Sequence, residues 1–397
     1  MELAVARLTR LVDEIKEEVI LWRRHLHQNP ELSYREEKTA QFVYDTLKSF
    51  GQIELSRPTR TSVVGRLTGK LPGTVLAIRA DMDALPITEE NDFSFVSQNR
   101  GVMHACGHDG HTAMLLGAAK ILAGLREELS GEIRFLFQHA EEQFPGGAEE
   151  MVQAGVMEGV DIVIGNHLMS QLPVGKIGVT YGRMMAASDE FYLTINGKGG
   201  HGGMPHHAVD CIAIGSQVVA NLQHIVARNV DPLDSLVLSV TQFHGGTATN
   251  VIPDTVALSG TVRSFDSQLR ESMPARMEQV IKGICEAHGA SYDFTYRFGY
   301  RAVVNDHAVS RVIEESVREV LGDESFEEFR PVTGGEDFSA FLQKTQGAFF
   351  VTGAGNPAKG ITYAHHHPRF TIDEDALENG VKMAVYAACK LLGDRSR

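Results

Sequence analysis

Between Met103 and His111 the chain reads Met-His-Ala-Cys-Gly-His-Asp-Gly-His, placing one thiol and three imidazoles in a single short stretch. Thiolate and imidazole are the donors that zinc and its neighbours among the transition metals prefer. Cys106 and His108 stand one residue apart, close enough to share an ion from a turn. Three further segments carry compatible side chains: Gln138-His-Ala-Glu-Glu142, Gly165-Asn-His167 and Ala364-His-His-His-Pro368. Each has an ordinary reading by itself. Cys106 and His108 could be packing residues, Glu141-Glu142 a solvated acidic turn, and His167 a hydrogen-bonded loop residue. Taken together they hold the donors for a site with two divalent ions, for which Zn, Co, Mn and Ni are all suited. On an extended segment Glu141 and Glu142 would point to opposite sides, leaving one to bind metal and the other to act as a base.

Distant segments need a scaffold to converge, and the hydropathy pattern supplies one. Helical periodicity runs over Leu8–Asn29 and Arg35–Phe50. Thr74–Ala80 then reads as a buried strand that delivers Asp81 and Asp83. The Cys106 loop leads into a helix over Thr112–Leu125. Glu132–Gln138 is a strand that delivers Glu141 and Glu142, a helix covers Gly147–Ala154, and the strand Asp161–Ile164 delivers His167. Repeated strand, polar loop and helix predict an α/β fold, in which ligands gather beyond the carboxyl ends of the strands. From Ala187 the pattern changes. Alternating strands at Glu190–Ile195, Leu236–Phe243, Val256–Val262 and Tyr292–Phe298, with helices over Ala208–Val226 and Leu269–His288, predict an inserted α+β sandwich. The α/β pattern resumes with a helix at His307–Leu321, a strand at Gly347–Val351 and a helix over Asp373–Leu392. The expected organisation is therefore a discontinuous catalytic domain (1–186 and 300–397) with a central mixed sheet flanked by helices, and an inserted smaller domain (187–299).

Composition narrows the function. A chain of 397 residues exceeds what one core usually serves. A net charge of −14 argues against nucleic acid or an anionic membrane as partner. The start of the chain lacks the basic and apolar regions of a signal peptide, and no run reaches about 18 apolar residues. Four widely spaced cysteines do not form a disulfide scaffold, and a cytoplasmic location is expected.

Seven motifs then occur in one order: Arg79-Ala-Asp-Met-Asp-Ala-Leu-Pro86, the Met103–His111 segment, Gln138–Glu142, Gly199-Gly-His-Gly202, Gly246-Thr-Ala-Thr-Asn-Val-Ile-Pro253, Gly334-Gly-Glu-Asp-Phe338 and His366-His-Pro-Arg-Phe370. Together they resemble the M20 metallopeptidase family, in its branch of N-acyl-amino-acid amidohydrolases, hippurate hydrolases and auxin-conjugate hydrolases. The resemblance covers nearly the whole chain. It implies a hydrolase of N-acyl-L-amino acids with two divalent ions per subunit, in which Cys106, His108, Glu142, His167 and His366 are ligands and Glu141 is the general base. His366 is favoured over His365 and His367 because the family's ligand stands two residues before the proline. The resemblance further implies that Asp81 orients a metal-binding imidazole. The inserted domain would act as a lid or dimerisation domain, with His201 reaching a partner subunit's site in a homodimer to help hold an oxyanion. Asn250 and Arg263 would contact substrate, Arg263 through its planar fork on a carboxylate. Arg263 could equally be a structural ion pair. Lys198, where Arg is more usual, and Thr371, where Asp is common, depart from the pattern outside the implied ligand set.

Three rivals remain at this stage. A dipeptidase or carbamoylase of the same fold would differ only in its pocket. A non-catalytic metal-binding or small-molecule-binding protein would have no use for Glu141. A cysteine nucleophile at Cys106 would leave Glu141, Glu142, His167 and the distal histidines unexplained.

Overall fold

The computed structural model describes residues 3–393; residues 1–2 and 394–397, at the outer limits of the expected catalytic domain, lie outside the described residues. The chain divides into two units, one of Met1–Met184, Val303–Pro331 and Asp337–Arg397, the other of Met185–Ala302 and Val332–Glu336.

The first unit is built on an eight-stranded mixed sheet. Its strands are β1 (Glu54–Ser56), β2 (Val63–Thr68), β3 (Leu71–Asp81), β4 (Ser130–Gln138), β5 (Ile162–Pro173), β6 (Ile177–Val179), β7 (Phe326–Glu328) and β8 (Gln346–Gly355), in the order β1-β2-β4-β3-β5-β8-β6-β7. The centre is parallel: β3 pairs with β4 and β5, and β5 with β8, placing Ile78 beside Phe135 and Ile164. Strands covered on both faces read as continuous apolar runs, which is why Leu76–Ile78, Phe135–Phe137 and Ile162–Ile164 lack polar alternation.

Helices α1 (Val5–Asp13), α2 (Lys16–Gln28), α3 (Glu37–Ser49), α4 (His108–Gly124), α5 (Gly147–Gln153), α6 (His307–Leu321) and α7 (Asp375–Gly393) belong to this unit. The single helix expected over Leu8–Asn29 is two, because the chain turns at Glu14 and Ile15; the buried stripe Leu8, Val12, Ile15 and Val19 nonetheless continues across the break. α4 packs against α2 and α7. It is buried on almost every side, and small residues permit this closeness. A Cβ on Gly117 would lie 2.9 Å from Val19 Cγ2 and 3.1 Å from Val381 Cγ2. Gly117→Val should therefore overpack the helix interface and lower stability by about 1–3 kcal/mol, read from the midpoint of denaturant unfolding.

Two boundaries bear on the site. α4 begins at His108, four residues earlier than the expected Thr112, so His108 and His111 stand on its first turn. β5 is longer than the expected Asp161–Ile164, because β8 keeps pairing with it as far as Gly355 opposite Pro173. His167 thus lies inside a strand, opposite Val351, rather than beyond a strand's end.

The second unit is a four-stranded antiparallel sheet in the order Leu236–His244, Thr255–Ser264, Ala187–Asn196, Ser291–Tyr300. Alternate residues Phe191, Leu193, Ile195, Val256 and Leu258 point into a core shared with Met273, Met277 and Ile281. The last three come from the helix Ser267–Ala287, which lies beside the helix Cys211–His224. Asp210 caps the latter by accepting from Ile212 N and Ala213 N, so it starts later than the expected Ala208.

Candidate metal centre

All the donors lie in the first unit, and local backbone conformation explains how they meet. Gly107 adopts φ +100°, a left-handed conformation glycine takes freely, and this swings the chain from Cys106 into α4. A Cβ on Gly110 would lie 2.4 Å from Leu168 Cδ1, so glycine there lets the first turn of α4 close onto β5. His366 also has positive φ, +66°, and its N–H donates to Ala105 O at 2.7 Å, tying the distal histidine loop to the cysteine loop.

The two glutamates depart from the expected extended geometry. Ala140 has φ +50°, with its N–H donating to Glu36 Oε1 at 2.8 Å and its carbonyl accepting from Gly147 N at 3.0 Å. The chain turns there. Glu141 Oε2 and Glu142 Oε1 consequently face the same atom, His108 Nε2, at 4.0 and 3.9 Å. They do not point to opposite sides.

Around this point the donors form overlapping groups, each with its ligand atoms within 4.8 Å of one another: Cys106, His108 and His167; Cys106, Glu142 and His366; His108, Glu141 and Glu142. Cys106 Sγ is 3.5 Å from His167 Nε2, and Glu142 Oε1 is 3.1 Å from His366 Nε2. Of the three consecutive histidines, His366 is the one that joins the donors. His365 donates from Nε2 to Leu168 O at 2.9 Å, and burial pushes its pKa down to about 4. His367 stacks on Tyr363 and accepts from Arg369 N.

The supporting carboxylates differ from expectation. Asp81 does not hold a ring from the expected ligand set: its Oδ1 accepts from His111 Nδ1 at 2.6 Å. The group behind His108 is Asp83, whose backbone oxygen and Oδ1 lie 2.9 and 3.2 Å from His108 Nδ1. Asp83 Oδ2 also accepts from Ser33 Oγ at 2.6 Å and Glu142 N at 3.0 Å, so one carboxylate orients two donors. Ser33, Glu36, Asp83 and His111 are not recognisable as site residues from sequence pattern. Asp83 sits in the same Asp-Met-Asp motif as Asp81, and alternation along a strand end could have marked it as the inward partner of a different ring.

Three observations fit this donor set to divalent cations. His108 Nε2 is buried without a hydrogen-bond partner, a costly state for a polar atom. Cys106 Sγ and His167 Nε2, 3.5 Å apart, and His108 Nε2 and Glu142 Oε1, 3.9 Å apart, are close enough to reach a common ion. Charge agrees. Burial and the carboxylates of Glu142, Glu141 and Asp81 push the Cys106 thiol well up. Burial would push His108 down, yet Asp81, Asp83 and Glu142 raise it to about 10. Protons sit on these donors only for want of a stronger positive charge, and a bound cation reverses both shifts. Because Asp83 holds the proton of His108 Nδ1 and leaves Nε2 as the nitrogen that faces a cation, Asp83→Ala should weaken metal binding about 10–100-fold, measured by competition with a chromophoric chelator.

The remaining expected residues lie in the second unit. His201 and Asn250 are exposed and adjacent: His201 pairs with Val251, and Gly202 N donates to Asn250 O at 2.8 Å. Arg263 is near the opposite end of Thr255–Ser264, eight residues from Thr255, or about 27 Å along the strand. Its Nη1 lies beside Thr261 Oγ1 and the carbonyls of Val262 and Asp189. The Asp189 carboxylate is taken by Arg270, Tyr296 and Gly299, and Arg263 has no ion-pair partner among the described residues.

Comparison with known proteins agrees with this chemistry. The family model described as Peptidase family M20/M25/M40 matches residues 77–390. An N-acyl-L-amino acid amidohydrolase of Geobacillus stearothermophilus is 69% identical over 298 residues, 75% of this chain and 80% of that protein. Thermostable carboxypeptidase 2 of Saccharolobus solfataricus is 42% identical over 389 residues, 97% of this chain and 98% of that one. The solved structure of the Bacillus subtilis YXEP protein, described as a dinuclear metal-binding peptidase from the M20 family, superposes with a TM-score of 0.83 at 36% identity, covering 96% of this chain and 99% of that one. No helix among the described residues is long and apolar enough to cross a membrane. The chain belongs to the M20/M25/M40 peptidase family and is a metal-dependent amidohydrolase.

Proposed function

We propose that the chain hydrolyses the amide bond of N-acyl-L-amino acids of the N-acetyl or N-benzoyl type, releasing a carboxylic acid and a free amino acid. The observation that carries this reading is the convergence of Cys106, His108, Glu142, His167 and His366, with the second carboxylate of Glu141 beside them. These five residues would hold two divalent ions (Zn, Co, Mn or Ni), and Cys106, common to two donor groups, would serve both. When bound, the ions supply an acidified water and a polarised substrate carbonyl. Glu141, outside the ligand set, takes a proton from the attacking water and delivers it to the leaving nitrogen. His108 and His167 stay fixed throughout, because each spends Nδ1–H on an oxygen, His108 on Asp83 and His167 on Leu168 at 2.8 Å.

Arg263 would bind the free carboxylate of the amino-acid part, a role supported by its lack of an ion-pair partner among the described residues. Asn250 would contact the substrate, and His201 would act in a homodimer at the partner subunit's site; their exposure and the family resemblance support this. Mixing His201→Ala subunits with Glu141→Gln subunits should then restore part of the activity that each variant lacks alone, and no recovery would refute shared sites. Four unpaired cysteines accord with a reducing, cytoplasmic location.

The similarity to a protein named carboxypeptidase favours one second reading, cleavage of a carboxy-terminal peptide bond, which also leaves a free carboxylate beside the scissile amide. A panel of N-acetyl-, N-benzoyl- and dipeptide substrates, run with added Zn, Co or Mn, separates the two. The first reading expects kcat/KM to favour the acylated amino acids; preference for the dipeptides would replace it with the second.

A further inference from the structure

His111 stands among the donors but outside the proposed ligand set, and its two nitrogens say why. From its position we propose that His111 is a positioning residue that takes the place of a missing neighbouring strand at the edge of β5 and so holds His167 in register. This rests on the reading of His167 as a metal ligand. β3 pairs with β5 only as far as Arg79 opposite Gly165, and it ends at Asp81. Beyond that point the edge of β5 that faced β3 has no partner strand among the described residues. Leu168 N–H donates instead to His111 Nε2 at 2.8 Å.

An accepting Nε2 carries no proton, so the proton of a neutral His111 is on Nδ1, where it donates to Asp81 Oδ1 at 2.6 Å. Asp81 Oδ2 accepts from Arg79 Nη1 at 2.7 Å, while Arg79 also donates to Gln138 Oε1 at 2.7 Å and Asp337 Oδ1 at 3.0 Å. Every polar atom from Asp337 to the Leu168 amide therefore has an assigned role. A cation on His111 Nε2 would have to displace Leu168 N–H, although Asp81, His108 and His111 lie close enough together to suggest a metal triad. The carbonyl of the same residue, Leu168 O, accepts from His167 Nδ1 and His365 Nε2. The peptide groups on the two sides of Leu168 are thus held by three imidazoles, and this leaves His167 Nε2 aimed at Cys106 Sγ.

Two substitutions separate the atoms. Glutamine can present an acceptor near the Nε2 position, whereas asparagine reaches only the Nδ1 position and Asp81. Hydrogen–deuterium exchange of the 162–173 segment in the metal-free protein, together with zinc affinity and zinc per subunit at saturation, gives the readout. In His111→Asn we expect the segment to exchange at least tenfold faster and zinc to bind at least tenfold more weakly, with wild-type stoichiometry at saturation. His111→Gln should restore both. Equal loosening in the two variants, or none in either, would overturn the proposal; loss of one zinc per subunit in both would make His111 a ligand. In the wild-type protein, the ¹⁵N resonances of His111 should show Nδ1–H with an accepting Nε2 before and after zinc addition. A zinc-induced shift of that Nε2 would likewise overturn it. A His167→Ala variant isolates the underlying reading: full zinc binding there would sink the ligand role of His167 while leaving the exchange result on His111 standing.

Discussion

Glu141→Gln should lower kcat by about 10³-fold or more while metal content stays at the wild-type level, because proton transfer by a positioned carboxylate contributes about 10²–10⁴-fold and glutamine can neither take nor give the proton. The geometry makes this separation of chemistry from binding possible. Glu141 and Glu142 both approach His108 Nε2, but Glu142 also meets His366 at 3.1 Å and is anchored through its backbone to Asp83. The ligand frame therefore survives the loss of its neighbour's charge. Rates from N-acyl-amino acid hydrolysis and metal-to-protein ratios by atomic emission on the same samples provide the check. Parallel loss of metal and rate would place Glu141 among the ligands instead; an unchanged rate would remove it from the mechanism.

The second large effect concerns Cys106. Its sulfur belongs both to the group with His108 and His167 and to the group with Glu142 and His366, so on the proposed reading Cys106→Ala would remove a donor from two ions at once. We expect metal content to fall from two ions per subunit to one or none, with activity reduced to background even in excess metal. The same substitution takes a thiol out of a crowd of carboxylates that hold it protonated without metal, so the metal-free variant should fold as well as the metal-free wild type, by circular dichroism and thermal melting. Retained stoichiometry in the variant would show that the sulfur is not shared.

Much of this site is written in residue types at the ends of strands. Cys106, His108, Glu142, His167 and His366 are singled out as ligands by the family resemblance of seven ordered motifs, and the structure brings their ligand atoms into overlapping groups. The mixed sheet and the two-helix sandwich follow from equally plain periodicities. What the sequence hides is conformational. Nothing about Ala140 announces the positive φ that turns both glutamates onto one histidine. Nor does the composition of Asp161–Ile164 reveal that β8 will extend β5 past His167. The exchange of partners between Asp81 and Asp83 has the same origin: two carboxylates in one motif are equivalent on paper, and only the start of α4 at His108 decides which ring each one meets. The break at Glu14 and Ile15 carries no proline or glycine to mark it.

The most direct measurement is the structure of the zinc-loaded enzyme, with the ions located by anomalous scattering at the zinc edge. Two peaks about 3.5–4 Å apart, both within bonding distance of Cys106 Sγ and otherwise divided among His108, Glu142, His167 and His366, with Glu141 free of direct ligation, is the predicted result. Zinc bound elsewhere on the chain, or a single ion that leaves Cys106 uncoordinated, would contradict it.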